Sequence, residues 1–415
     1  MDCCSRGNNR LVRLTALSGS GGEFRLNNPV PQGVDIIGTG PDTTFSGTIT
    51  GGNVEVNIFR PDGGSRFTKS GTSTLTLDGT NTYVARTFID GGALRVTNSS
   101  SLGATGSAGN GTFVRNNGSL EITNSTTLGE VLFLNGDGFN GDGALRSVSG
   151  TNTISSDVQV GWSYTGTGTQ VAAADARIGV EAGSTLAITG AVTGSNAVEK
   201  VGGGLLRFSA AGGNSNSGAT TVSGGTLALA SAAGNAIAGT ALTLNSGGTL
   251  LLEGANQIND SAALTLAGGI FDTGSGFNET LGTLTLTSNS SITLGAAIHN
   301  LQFGASNLLA WTPAATLTIY GWTGILETSG TAGRIYFGSD STALTAGQLA
   351  NITFSGYGGQ AMLLPDGELV PMAVPEARSI LAALLLLGAV FWRERSRLRS
   401  LLASLLAVPA DEPGR

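Results

Sequence analysis

The sequence predicts an all-β chain, a right-handed parallel β-helix whose short strands stack as rungs. Three observations carry this. Runs such as TLTLDG, TLAITG, LTLNSGGTLLLEG and LTLAGG alternate apolar residues with Thr or Ser, and a period of two turns one side to a core and the other to water or a neighbour. Between the runs sit GG, GN, NG, DG and GS, where glycine and asparagine accept the positive φ that tight corners demand. Finally, an ordered set of motifs occurs twice.

The two lysines of the chain locate the repeat. Lys69 begins KSGTSTLTL and Lys200 begins KVGGGLLRF, each with a glycine two positions on and alternating apolar residues at Leu75/Leu77 and Leu206/Phe208. Upstream, FSGTITG (Phe45 to Gly51) answers ITGAVTG (Ile188 to Gly194); downstream, GGALRV (Gly91 to Val96) answers GGTLAL (Gly224 to Leu229). A single rung buries a few aliphatic side chains at roughly 1.5 to 3 kcal/mol each, against roughly 1 to 2 kcal/mol of backbone entropy per ordered residue. One rung therefore cannot fold alone, whereas stacked rungs share a core and continuous ladders. An antiparallel sandwich is the structural alternative.

Composition agrees and excludes other classes. The 66 glycines follow no G-x-y period, charged residues supply 12% and aromatics 6% of the chain, so collagen is excluded and the many Leu, Val and Ile argue against disorder. A net charge of −7 with so few lysines offers no basic surface for nucleic acid. Cys3 and Cys4 are neighbours and cannot staple a fold or build a four-ligand zinc site.

The repeat resembles the autotransporter-associated β-strand repeat, also called the passenger-associated transport repeat: a Lys-x-Gly lead, an L-T-L strand, an N-T-Y corner, a Thr-rich strand and a G-G-T-L-x-V end. Thr74 to Val96 is the closer copy; Leu205 to Leu229 keeps the lead and the GGTL end but has GGNSNSG where the first has N-T-Y. Gly143 to Ile154 and Gly269 to Leu286 look like spacer rungs. The resemblance implies secretion and a β-helical stalk or adhesin-like body, and no reaction.

The C-terminal tail is of another kind. VPEARSILAALLLLGAVFWRERSRLR places Val374, Pro375 and Glu376 before an apolar run and Arg393, Arg395, Arg397 and Arg399 after it. Residues 380–392 would make a helix of roughly 20 Å, short of the roughly 30 Å hydrocarbon core unless residues 373–379 extend it. The arrangement resembles a PEP-CTERM sorting tail, with Ala377 where that family has a second proline. It implies membrane engagement with the arginines on the cytoplasmic side, and an exosortase-type enzyme cutting near Pro375-Glu376. A terminal helix capping the solenoid is the structural alternative. The first residues, MDCCSRGNNRLVRLTALSG, carry positive charge but no apolar run of roughly 7 to 15 residues, so the expectation is an upstream start bearing a signal peptide. The organisation expected is residues 1–40 as N-terminal rungs or cap, 41–300 as repeat solenoid, 301–372 as a terminal β region or cap, and 373–415 as the tail.

Chemical motifs are sparse. FDTGSG around Asp272 has no second D-T/S-G loop to share a proton, so Asp272 reads as a turn residue. Asp137, Asn140 and Asp142 in NGDGFNGDG could offer oxygens to calcium, but Phe139 falls at a ligand position of the usual loop, and a plain glycine-rich loop is the simpler reading. His299, the one histidine, has no partner set for catalysis or metal binding. Trp311, Trp322, Tyr320, Tyr336 and Tyr357 suggest either carbohydrate stacking or, more simply, a packed closing cap. The function expected is a noncatalytic, exported surface or matrix solenoid that needs no cofactor. Its expected partners are the membrane, a sorting enzyme and extracellular polysaccharide. The alternatives are a polysaccharide-active β-helix enzyme, with Asp137 or Asp142 as its acids, and the passenger of a true autotransporter.

Overall fold

Alternation at short intervals is realised as three parallel ladders that run side by side along one axis. The computed structural model describes residues 2–3, 12–26, 33–52, 65–106, 108–161, 173–373, 386–387, 389–395, 397–399 and 402. Every pairing between its strands is parallel except one terminal hairpin, Ala361–Leu363 with Leu369–Pro371. The chain visits the ladders in turn: Val198–Val201, for example, follows Val192–Gly194 and precedes Leu205–Phe208, and each pairs with the strand one rung below. The sandwich alternative is excluded by this parallel pairing. Right-handed winding is the hand such crossovers take in nearly all proteins.

The third ladder is the most regular. Ten strands follow one another from Thr127–Leu128 through Thr185–Ile188 and Gly248–Leu252 to Ile352–Phe354. Its register superposes Leu186, Leu206, Leu227, Leu250, Phe271, Ile292, Ile319 and Phe354 in one column, all buried. The second ladder stacks Val222, Leu244, Leu266 and Leu286 inward, and the half-buried Thr221, Thr243, Thr265 and Thr285 stack on its outer side. Period-two patterning thus becomes like-on-like columns, with β-branched hydroxyl residues suited to the pleated outer surface.

Charges on the outer side are stacked as well. Arg95, Glu121 and Arg146 occupy consecutive rungs of the second ladder. Arg95 donates to Glu121 at 2.8 Å, and Arg146 donates to Glu121 at 3.0 Å and to Glu181 at 2.8 Å. Opposite charges on neighbouring rungs favour this register and penalise a slipped one.

The C-terminal end is closed. The helix Ala346–Ala350 begins with a capping box between Thr345 and Gln348, and Gln348 Nε2 donates to the Ser306 and Leu309 carbonyls at 2.8 and 3.0 Å. The terminal hairpin turns back over the last strand of the first ladder, where Phe337 N donates to Gly367 O. Trp322 packs edge-on against Phe354 and Tyr357, with centroids 5.6 and 4.9 Å apart.

Leu250 lies at the middle of the buried column, so Leu250→Ala is expected to lower unfolding free energy by about 2 to 5 kcal/mol. Chemical denaturation followed by circular dichroism measures this. Thr243→Ala, on the outer side, should stay within about 0.5 kcal/mol.

Candidate functional site

The chemistry of the repeat is concentrated in polar side chains that enter the core. Lys69 sits in the first ladder between Ile36 and Ile89, and Lys200 in the second between Ile178 and Val222. Each replaces an aliphatic residue in an apolar column, and each is fully buried. A buried ammonium is tolerated only where its donors are met. Lys69 Nζ donates to Ser70 O at 2.8 Å and to Gly91 O at 3.1 Å. Lys200 Nζ donates to Val201 O at 2.9 Å, Gly202 O at 2.7 Å and Gly224 O at 2.9 Å. In both copies the lysine lead of one rung grips the GG corner of the next.

The corners themselves superpose in conformation. Gly92 and Gly225 take φ of +60° and +61°, values that a side chain rarely adopts. A Cβ on Gly92 would lie 2.4 Å from Ser73 O and 2.8 Å from Lys69 Nζ, and one on Gly225 would lie 2.4 Å from Gly204 O. The second glycine of the GG pair is therefore required both by backbone conformation and by the close approach of the rung below.

Asparagine forms the second bridge. Asn81 Oδ1 accepts from Ile49 N at 2.7 Å and its Nδ2 donates to Ser101 O at 2.6 Å, so one side chain joins three rungs. Asn214 repeats this, accepting from Val192 N at 2.9 Å and donating to Ala236 O at 2.7 Å. The GGNSNSG of the second copy thus preserves the bridge that N-T-Y makes in the first. The two copies nevertheless occupy different sides of the solenoid: Lys69 and Thr74–Leu77 lie on the first and second ladders, Lys200 and Leu205–Phe208 on the second and third. The repeat is a local device independent of which corner it turns.

Residues 67–96 and 198–229 match the passenger-associated-transport-repeat. The two matched stretches are those that hold the lysine, asparagine and GG bridges. No curated protein and no solved structure matches the chain.

Burial also shifts acids. Glu279 is held by Gln257 N at 2.7 Å and Ile258 N at 3.2 Å, and its burial outweighs these bonds, raising it to about 7. Glu130 is pushed well above the ordinary carboxylate range by burial, with Thr112 Oγ1 donating to one oxygen at 2.9 Å. Burial likewise lowers Lys69 and Lys200 to about 8.

The residues singled out from sequence are dispersed. Val374, Pro375 and Glu376 lie outside the described residues. Arg393, Arg395, Arg397 and Arg399 are exposed on short helical stretches, and Arg397 lies 3.7 Å from Glu394. Among the described residues no helix is long and apolar enough to cross a membrane, so the membrane-length helix expected at the C-terminus is not found there. Asp272 Oδ1 accepts from Gly274 N at 2.8 Å, a turn contact. Asp137 and Asp142 each lie 3.5 Å from an arginine, Arg177 and Arg146, and Asn140 is an exposed loop residue at φ +57°. Among the described residues no group of three or more His, Cys, Asp or Glu could hold a metal ion. His299 is buried, its Nδ1 donating to Ala297 O at 2.8 Å and its Nε2 lying 2.9 Å from Thr273 Oγ1. Trp311 Nε1 donates to Leu284 O, and with Trp322 it packs the C-terminal end. Tyr320 is exposed, while Tyr336 and Tyr357 are half-buried.

Lys200→Met leaves three carbonyls without their donor, and each deprived group costs about 1 to 3 kcal/mol. The variant is expected to lose at least about 2 kcal/mol of unfolding free energy, and Asn214→Ala a comparable amount. The pH dependence has two limbs. Unfolded lysine holds its proton to about 10.5 whereas folded Lys69 and Lys200 release theirs near 8, so the unfolded state binds more protons and stability rises across that interval. Glu279 has the opposite sign: its folded value of about 7 exceeds 4.5, so its contribution is complete below about 4.5 and is lost as pH rises toward 7. Denaturation midpoints across pH should show both limbs. The alkaline rise should vanish in the double variant Lys69→Met/Lys200→Met, and the acid-side decline should lessen in Glu279→Gln and flatten only when Glu130→Gln is added, because burial raises Glu130 in the same direction.

Proposed function

We propose that the chain is a noncatalytic, exported β-solenoid displayed at or shed from the cell surface, contributing to envelope, matrix or adhesion. The observation that carries this is the coincidence of the matched repeats with the bridges that hold successive rungs together. What the repeat supplies is a rigid stacked body, and a passenger-type surface protein is what such a body fits. Catalysis on polysaccharide is less well supported, because the acids that would serve it, Asp137 and Asp142, each face an arginine rather than one another across a cleft.

The tail gives this body its address. Val374, Pro375 and Glu376 form the recognition point for an exosortase-type membrane enzyme, the apolar stretch after them engages the membrane, and Arg393, Arg395, Arg397 and Arg399 hold the cytoplasmic side. The body is then passed to the surface or matrix.

Two measurements in native cells test these readings separately. Protease shaving of intact cells should release large fragments of the solenoid, and complete protection of the body would refute surface display. Mass spectrometry should place the mature C-terminus near Val374. A chain still ending at Arg415 would refute sorting by cleavage and leave display intact.

A further inference from the structure

Beside the Lys69 cage, the corner between the first and second ladders opens into a groove of about 570 Å³, within the range of ligand-binding clefts. Four successive rungs line it, through Thr72, Asp90, Asn117 and the arm that carries Asp137, Phe139 and Asn140. Glycines Gly71, Gly91 and Gly92 also line it, and the buried Lys69 ammonium is bonded to Gly91 O.

The arm is built rather than loose. Gly138 pairs with Gly143 across its base, and Ser119 Oγ accepts from Phe139 N and donates to Gly143 O, both at 2.7 Å. The carboxylates of the groove are offset in charge. Arg115 donates to both oxygens of Asp90, at 2.7 and 2.6 Å, and Arg177 lies 3.5 Å from Asp137. What remains is a nearly neutral polar trough, with the Thr72 hydroxyl, the Asn117 and Asn140 amides and one aromatic ring, Phe139, in its lining.

We infer that this groove binds a neutral, extended glycan chain. The rung spacing of about 4.8 Å is close to the length of one hexose in such a chain, so successive rungs address successive sugars. Carboxylate oxygens held by arginines yet still accessible and the exposed amides of Asn117 and Asn140 match sugar hydroxyls, and Phe139 offers a ring to the apolar face of a pyranose. Other occupants fit less well. A peptide strand needs an open sheet edge, whereas these rungs are paired on both sides. The acids at the rim disfavour phosphate, and two carboxylates, each with an arginine, are a poor cation site. The inference rests on the surface reading for its setting alone.

The test is calorimetric titration of the purified full chain with cellohexaose, chitohexaose and laminarihexaose, with hexagalacturonate as the acidic probe. At least one neutral hexaose should bind. Asn117→Ala/Asn140→Gly, glycine keeping the positive φ of position 140, and, separately, Phe139→Ala should each weaken that binding by at least about tenfold, with the thermal unfolding curve unchanged. Absence of binding by all three neutral probes would overturn the inference, as would equal binding of hexagalacturonate or binding that survives both variants. Surface display is measured independently by protease shaving, so failure of either reading leaves the other standing.

Discussion

Everything in this molecule depends on hydrogen bonds that join one rung to the next. Most strands are only a few residues long, and among the described residues, the terminal hairpin apart, they pair with strands of neighbouring rungs rather than within their own turn. The buried columns follow from this, because a parallel ladder in register sets like beside like. Leu227 lies on Leu250 and Leu250 on Phe271, so the hydrophobic core is a by-product of ladder register as much as its cause. Stability is then close to a sum over nearest neighbours, and a defect in one rung is felt mainly by the two beside it.

Parallel ladders do not by themselves fix where the chain turns. That task falls to the polar residues of the repeat. The lysine ties its own rung to the GG corner of the next, and the asparagine joins three rungs through one amide. Both are buried, so neither can be removed without leaving backbone groups unmet, and both reappear in the second copy one side further round. Burying an ammonium is costly, and the carbonyls around Lys69 and Lys200 offset that cost while making the corner geometry specific.

Much of this was legible in the sequence. The alternation, the corner glycines and the paired lysines predict the parallel solenoid, and the copies Thr74 to Val96 and Leu205 to Leu229 fall inside the matched stretches, whereas the upstream motifs Phe45 to Gly51 and Ile188 to Gly194 lie outside them. The burial of the lysines was not read, although the pattern contained it: period two sets Lys69 on the side of Phe67 and Lys200 on the side of Val198, both core residues. A charge at an inward position is easily taken for a break in the pattern. Asn214 was hidden differently, inside a run of Gly, Asn and Ser where composition does not reveal which amide spans the rungs. The groove depends on an arm at residues 138–143 folding back over earlier turns, a contact between distant segments that no local pattern encodes.

The lysine bridge also has a mechanical meaning. Ladder hydrogen bonds point along the solenoid axis, so tension applied along that axis does not shear the strands together. A pull that enters through a chain end concentrates on the ladder bonds of the terminal strand, so the rod opens from that end, much as a zipper does. At the turns held by Lys69 and Lys200 an extra charge-assisted clasp must open before peeling continues. A rod of this kind yields in steps, with its two clasps acting as stops that confine damage to the segment already unwound.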